Sequence, residues 1–234
     1  MSDLKDIDVV VLAGGLGKRL KAKTGETPKV LAAVNGIPFL DILLKNISSQ
    51  GFKRVILCTG YKAKEIEAHY HKSKLGLDIQ FSREENPLGT GGAFKLAKDK
   101  VQSPLFLGLN GDCFCSVSFR DFVCFHEKNN ALASLVLTKV EEKGDFGSVV
   151  VDDRKQIVSF QEKANLASSP FVSVGIYCFQ KKVFDLMPSH DVFSIEQDFF
   201  PRLIGKGFYG FVTEHQFLDI GTPDRYERAQ SELG

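Results

Sequence analysis

The sequence predicts an α/β fold, a mixed, mostly parallel sheet flanked by helices, and three observations lead there. Short apolar runs at residues 7–12, 54–59 and 103–109 (IDVVVL, RVILCT, SPLFLGL) read as strands buried on both faces. Segments of helical periodicity, at 38–50 and 62–71, alternate with such strands. Glycine-rich or acidic turns then follow strands at 13–17, 84–92 and 110–112, where open α/β sheets bind ligands. At 234 residues the chain suits one large domain.

Taken in order, residues 7–12 form the first strand, and Gly14, Gly15 and Gly17 open the loop after it. Residues 30–34 read as a short strand and Asn35-Gly36 as a turn. Helix 38–50 has Pro38 in its first turn, buries Phe39, Leu40, Leu43, Leu44 and Ile47, and ends at Gly51. Strand 54–59 leads into a charged helix, 62–71, with Ile66 and Tyr70 inward and His69 and His71 on the solvated face. A strand at 78–81, a loop at 84–92 and a helix at 93–98 follow. Strand 103–109 ends in Asn110-Gly111-Asp112, which taken alone is a strong turn former. Residues 119–129 form a helix whose His126 is structural or partly exposed, and 131–140 form a further strand. After a turn at 144–147, strands 148–151 and 157–161 flank an Asp152-Asp153 turn and suggest a small β subdomain inserted without a linker. Another strand spans 171–179. Ser194 with Gln197 gives a capping-box start to a helix at 194–204, broken by Pro201. Short strands at 206–212 and 216–218 precede a last helix, with Thr222 as N-cap, Pro223 at N1 and Asp224 at N2.

Charge narrows the function. Thirty basic against 29 acidic residues leave a formal charge of +1, so no basic field points to nucleic acid or an anionic membrane. Any phosphate chemistry must then come from a few placed cations. The start, MSDLKDIDVV, lacks an apolar leader, and no stretch reaches the length of a membrane span. The five cysteines are an odd set without disulfide-like spacing, so a reducing cytoplasm is expected. Cys113-Phe-Cys115 has no second ligand pair for zinc.

The chemistry centres on residues 13–29, AGGLGKRLKAKTGETPK. Glycines let backbone amides approach an anion closely, and Lys18, Arg19 and Lys29 stand nearby. A Walker A loop is excluded, since Leu12 stands where its first glycine belongs and Arg19 where Ser or Thr belongs. A dinucleotide loop also fails, because Leu20 occupies its third glycine position. By itself the loop remains compatible with a plain glycine turn.

The whole string LAGGLGKRL…TPKVLAAVNGIPFLD, however, resembles the signature of the sugar-1-phosphate nucleotidyltransferases, G-G-x-G-x-R-L followed by P-K and G-x-P. The likeness continues through PLGTGG, LNGD, FQEK, VGIY and DIGTP, and so covers nearly all of the chain. Among members it is most similar to the D-glycero-α-D-manno-heptose 1-phosphate guanylyltransferases, with the mannose-1-phosphate enzymes next.

The resemblance implies a Rossmann-like, GT-A-like single domain, its nucleotide half about 1–112 and its sugar-side half, with the small β subdomain, about 113–234. It implies a nucleotide site of Leu12, Ala13, Gly14, Gly15, Gly17, Pro87, Gly89, Thr90 and Gly111. Arg19 would hold the triphosphate tail and Lys29 the reacting phosphates. Asp112 and Asp219 would bind Mg²⁺, and Lys163 the sugar phosphate. The sugar would meet Asn110, Gly147, Glu162, Lys163, Ser173 and Gly175. Ser173 departs from the family's Asn at that position, so its shorter side chain would reach the sugar differently or through water. About a dozen residues follow Gly221, so the β-helix domain of larger relatives is not expected here.

The implied reaction joins GTP to a sugar 1-phosphate and releases pyrophosphate. Nucleobase choice and oligomeric state, monomer or homodimer, stay open. A nicotinamide oxidoreductase is disfavoured by Leu20 and by the two carboxylates, which hydride transfer does not need. A non-catalytic relative would be expected to lose catalytic positions, yet Arg19, Lys29, Asp112, Lys163 and Asp219 are all present.

Overall fold

The computed structural model describes residues 2–71, 75–140, 147–161 and 169–233. In chain order its elements are β1 (Asp8–Leu12), α1 (Lys21–Thr24), β2 (Ala33–Val34), β3 (Ile37–Pro38), α2 (Phe39–Ser49), β4 (Arg54–Thr59), α3 (Ala63–Tyr70), β5 (Asp78–Arg83), α4 (Gly89–Leu96), β6 (Leu105–Asn110), β7 (Cys113–Cys115), α5 (Phe119–Lys128), β8 (Ala133–Lys139), β9 (Ser148–Val151), β10 (Ile157–Gln161), β11 (Phe171–Gln180), α6 (Phe200–Leu203), β12 (Phe208–Thr213), β13 (Phe217–Asp219) and α7 (Pro223–Glu232).

Nine strands form one mixed sheet, β10-β9-β11-β6-β1-β4-β5, with β8 beside β11 and β12 beside β8. Strands β6, β1, β4 and β5 run parallel, and the long β11 joins β6 antiparallel. Both faces are covered. Val9 and Val11 of β1 point to a core shared with α2, α3 and α5, while Val10 faces one shared with α4 and α6. That is why β1 lacks polar alternation: each buried aliphatic side chain contributes roughly 1.5–3 kcal/mol whichever face it joins.

The predicted helix at 93–98 starts earlier, at Gly89, because Phe193 O accepts from the N–H groups of Gly91 (3.0 Å) and Gly92 (3.3 Å). The helix predicted at 194–204 is instead a π-helical turn (Ile195–Phe199) followed by α6. Pro201 has no N–H to continue the first turn's ladder and suits the start of a new one. The strand predicted at 30–34 is a 3₁₀ turn (Lys29–Leu31) followed by the two-residue β2. The hairpin β9–β10 extends the main sheet through β11. Most of the turn predicted at 144–147 lies outside the described residues.

One small ribbon decides the site. Strands β7 and β13 pair antiparallel outside the main sheet, setting Asp219 opposite Cys113. Ile220 N donates to Asp112 O at 3.0 Å. Two carboxylates a hundred residues apart in sequence thereby meet beyond the end of β6.

Candidate active site

The loop after β1 is laid against the end of β4: Ala13 N donates to Cys58 O (2.8 Å), and Tyr61 N to Gly14 O (3.1 Å). Its glycines serve different needs. A Cβ on Gly14 would come within 3.1 Å of Glu84 Oε1 and of Gly60 N. Gly17 has φ +59°, and a Cβ there would sit 2.8 Å from Lys29 Cβ. A Cβ on Gly15 would meet nothing within 4 Å. Gly17 is thus required by the fold, a side chain at Gly14 would be tight, and Gly15 borders open space. Leu20, the residue that broke the dinucleotide pattern, is buried with Val34, Phe39, Ile220 and Ala229, and so ties the loop to α7.

Above the loop lies a cleft of about 420 Å³, mostly apolar, walled by Leu12, Gly14, Gly15, Cys58, Pro87 and Thr90, with Glu84 and Glu85 among its polar groups. Burial pushes the Glu84 carboxyl above its usual range, opposed by the hydrogen bond it accepts from Leu88 N at 3.1 Å. The glycines of PLGTGG make room for protein. A Cβ on Gly89 would lie 2.6 Å from Phe193 O, one on Gly91 2.1 Å from the Phe193 ring, and one on Gly92 2.1 Å from Asp191 O. The segment carrying Asp191 and Phe193 therefore packs directly on the first turn of α4.

A smaller polar pocket of about 150 Å³ gathers Arg19, Asn110, Asp112, Asp219 and Arg225 around the ends of β6 and β13 and the middle of β11. Gly147, Ser173 and Gly175 also line it. Gly111, between the pocket residues Asn110 and Asp112, donates its N–H to the O of the cleft residue Leu12 at 2.9 Å; a Cβ on Gly111 would stand 2.4 Å from that oxygen. Lys29 forms an ion pair with Asp112 Oδ2, its side chain only 13% exposed. Burial pushes the Asp112 carboxyl upward, but the Lys29 charge and hydrogen bond, with a hydrogen bond from the Cys113 thiol, outweigh it and hold the pKa below the usual value. Asp219 is buried; its Oδ1 accepts from Gly221 N (2.8 Å) and lies 3.4 Å from Arg225 Nη1. Burial and the charges of Asp112 and Asp219 push the Cys113 thiol well up, opposed by the Lys29 charge.

Opposite the carboxylates, β11 bulges between Ser173 and Tyr177, with Gly175 at φ +74°. The bulge turns Gly175 onto Asn110, whose Nδ2 would be 2.8 Å from any added Cβ. Ser173 Oγ accepts from Gly175 N at 3.4 Å.

Three residues here were not singled out in the sequence: Tyr177, Glu196 and Arg225. Glu196 accepts from Thr90 Oγ1 (2.7 Å), Ser194 Oγ (2.9 Å) and Tyr177 OH (3.3 Å), and so bridges the cleft to the pocket. Its only sequence signal is its place two residues after the capping Ser194. Thr90 also accepts from Ile195 N (2.9 Å), so its hydroxyl is engaged with this segment. Glu162 and Lys163 lie outside the described residues; the other expected site residues come together in or beside the two depressions.

A glycine loop at a parallel strand end, cations facing carboxylates, and a base-sized cleft beside them define a phosphate-handling nucleotide site. The chain belongs to the nucleotidyl transferase family, whose sequence profile matches residues 8–234, and it is a nucleotidyltransferase. It is 36% identical to a D-glycero-alpha-D-manno-heptose 1-phosphate guanylyltransferase from Aneurinibacillus thermoaerophilus, over 97% of this chain and 98% of that protein. It is 35% identical to a mannose-1-phosphate guanylyltransferase from Mycobacterium tuberculosis over 97% of this chain, but spans only 64% of that longer protein. The crystal structure of HddC from Yersinia pseudotuberculosis superposes with a TM-score of 0.86 at 34% identity, covering 97% of this chain and all of that one. A second HddC structure, complexed with GMP-PN, gives 0.85.

Proposed function

We propose that this enzyme transfers the guanylyl group of GTP to D-glycero-α-D-manno-heptose 1-phosphate, giving the GDP-heptose and pyrophosphate. The observation that carries the reading is a base-sized cleft and a pocket of cations and carboxylates whose walls are hydrogen-bonded to each other, Gly111 N to Leu12 O and Thr90 Oγ1 to Glu196. GTP would lie with its base in the cleft and its phosphates across the join. Guanine offers adjacent N–H donors on one edge, and a carboxylate on the cleft wall, Glu84 or Glu85, is a suitable acceptor. The GMP-PN complex of HddC supports a guanine nucleotide.

A sugar 1-phosphate oxygen attacks the α-phosphorus as the bond to pyrophosphate breaks, and the electron pair leaves with pyrophosphate. The nucleophile is already ionised, so no general base is required. Catalysis is then positioning two repelling anions and balancing their charge. Arg19 binds the triphosphate tail and Lys29 the reacting phosphates, while Lys163 binds the sugar phosphate and Glu162 the sugar hydroxyls. Asn110, Gly147, Ser173 and Gly175 complete the sugar side. Its substrates, a nucleoside triphosphate and a sugar phosphate, suit an enzyme of the cytoplasm that acts on neither nucleic acid nor membrane. Among the described residues no helix is long and apolar enough to cross a bilayer.

Asp112 and Asp219 fit a divalent cation. Both are hard oxygen donors and they share one pocket; among the described residues no cluster of three or more potential ligands occurs, so the protein would supply no more than this pair. Mg²⁺ commonly takes one or two carboxylates and completes its shell with phosphate oxygens and water. Bound there, it would neutralise charge on the phosphates.

Mannose 1-phosphate is the second reading, favoured by the mycobacterial relative. It lacks one exocyclic carbon with its hydroxyl, so a site that hydrogen-bonds that group would discriminate strongly. The test is kcat/KM for both sugars with GTP, ATP, CTP and UTP. The heptose with GTP should lead. Best turnover with UTP or CTP would overturn the base, and preference for mannose 1-phosphate would overturn the sugar.

A further inference from the structure

Arg225 is the third residue of α7. Thr222 caps that helix by accepting from Arg225 N, which fixes where the arginine side chain begins. The side chain runs back to Asp219 and is 25% exposed, whereas Arg228 on the same helix is 58% exposed and pairs with Glu232. Arg19 arrives at the same place along the glycine loop. A Cβ built on Gly221 would lie 3.7 Å from Arg19 Nη2 and 3.8 Å from Arg225 Nη1. Two guanidinium groups thus flank one glycine in the pocket that holds Asp112 and Asp219.

Like charges so close repel, and an anion between them lowers that cost. Here Asp219 faces Arg225, while Asp112 is taken by Lys29. A cation on the two carboxylates would compete with both partners. The guanidinium of Arg225, released from Asp219 by such a cation, has the planar fork geometry that matches phosphate oxygens.

We propose that Arg225 binds phosphate during the transfer, forming with Arg19 a two-guanidinium clamp on the pyrophosphoryl group and exchanging Asp219 for phosphate oxygens. The clamp rests on the nucleotidyl-transfer reading, yet it is tested by binding alone. Inorganic pyrophosphate with Mg²⁺ is titrated calorimetrically into wild type, Arg225→Gln, Arg225→Lys and the control Arg228→Gln.

A charge-assisted fork is worth on the order of tenfold to hundredfold in affinity. Arg225→Gln should lose about that much, Arg225→Lys should fall between, and Arg228→Gln should match wild type. Guanosine, which has no phosphate, should bind wild type and Arg225→Gln alike. Pyrophosphate affinity unchanged in Arg225→Gln, or absent in wild type, overturns the clamp while leaving guanylyl transfer standing. If Arg225→Gln does not fold, Arg225→Lys decides, and affinity equal to wild type overturns the clamp. Turnover failing with every nucleotide while the affinity loss appears would instead overturn the proposed reaction.

Discussion

Asp112 and Lys29 show how much one side chain depends on its setting. The carboxylate follows a buried strand and ends beside an ammonium held in place by Gly17, whose missing Cβ lets the Lys29 stem pass. Asp112→Asn keeps the volume and an oxygen for Lys29, so the fold should survive. Its loss of charge should lower kcat/KM on the order of 10²–10⁴-fold if the carboxylate holds the metal. Circular dichroism and steady-state rates check this, and near-wild-type turnover would remove Asp112 from the metal site. Asp112 and Asp219 could be picked out in the sequence because each follows or ends an apolar strand within a recognisable motif, LNGD or DIGTP. Arg225 and Glu196 could not. Nothing in GTPDR or SIEQD says which way a long side chain turns, and that direction is set by pairing of β7 with β13 and by the π turn.

Helix α4 carries the same lesson for an element. Read by propensity, its glycines belong in a loop, since each costs about 1 kcal/mol relative to Ala in a helix. The helix nevertheless begins at Gly89, because Phe193 supplies the carbonyl for its first N–H groups and its ring for the space above Gly91. That partner lies a hundred residues away, outside any local pattern. Gly91→Ala separates the two influences. Propensity alone predicts stabilisation; the 2.1 Å approach to the Phe193 ring predicts overpacking that costs about 1–3 kcal/mol. Urea denaturation should show the loss, with a raised KM for nucleotide as Thr90 and Glu196 shift apart. A more stable variant with unchanged KM would mean the contact is unimportant. The main parallel strands, in contrast, were visible to within a few residues, as apolar runs long enough to be buried on both faces.

Across the whole molecule, the two sides of the sheet are knitted by α5 and β8, and His126 sits in that seam. It is 1% exposed, with Nδ1 2.9 Å from Ser134 Oγ and, among the described residues, no hydrogen-bond partner at Nε2. Burial lowers its pKa to about 4, and the neighbouring Glu127 charge opposes this only in part. A depressed histidine is neutral in the fold while the unfolded chain takes up a proton below about 6.5. Its contribution is therefore complete above that pH and is lost as pH falls toward 4. The expected loss at pH 5 is about 2 kcal/mol relative to pH 7.5. His126→Gln should flatten that part of the stability–pH curve, and an unchanged slope would show that another group governs it.

The central proposal, guanylyl transfer to a sugar 1-phosphate, is tested most directly by ³¹P NMR of the enzyme with GTP, D-glycero-α-D-manno-heptose 1-phosphate and Mg²⁺. Each GTP consumed should yield one pyrophosphate and one new diphosphate diester, with no inorganic phosphate from the enzyme itself. Release of inorganic phosphate or GMP without the diester, or consumption of UTP in place of GTP, would contradict it.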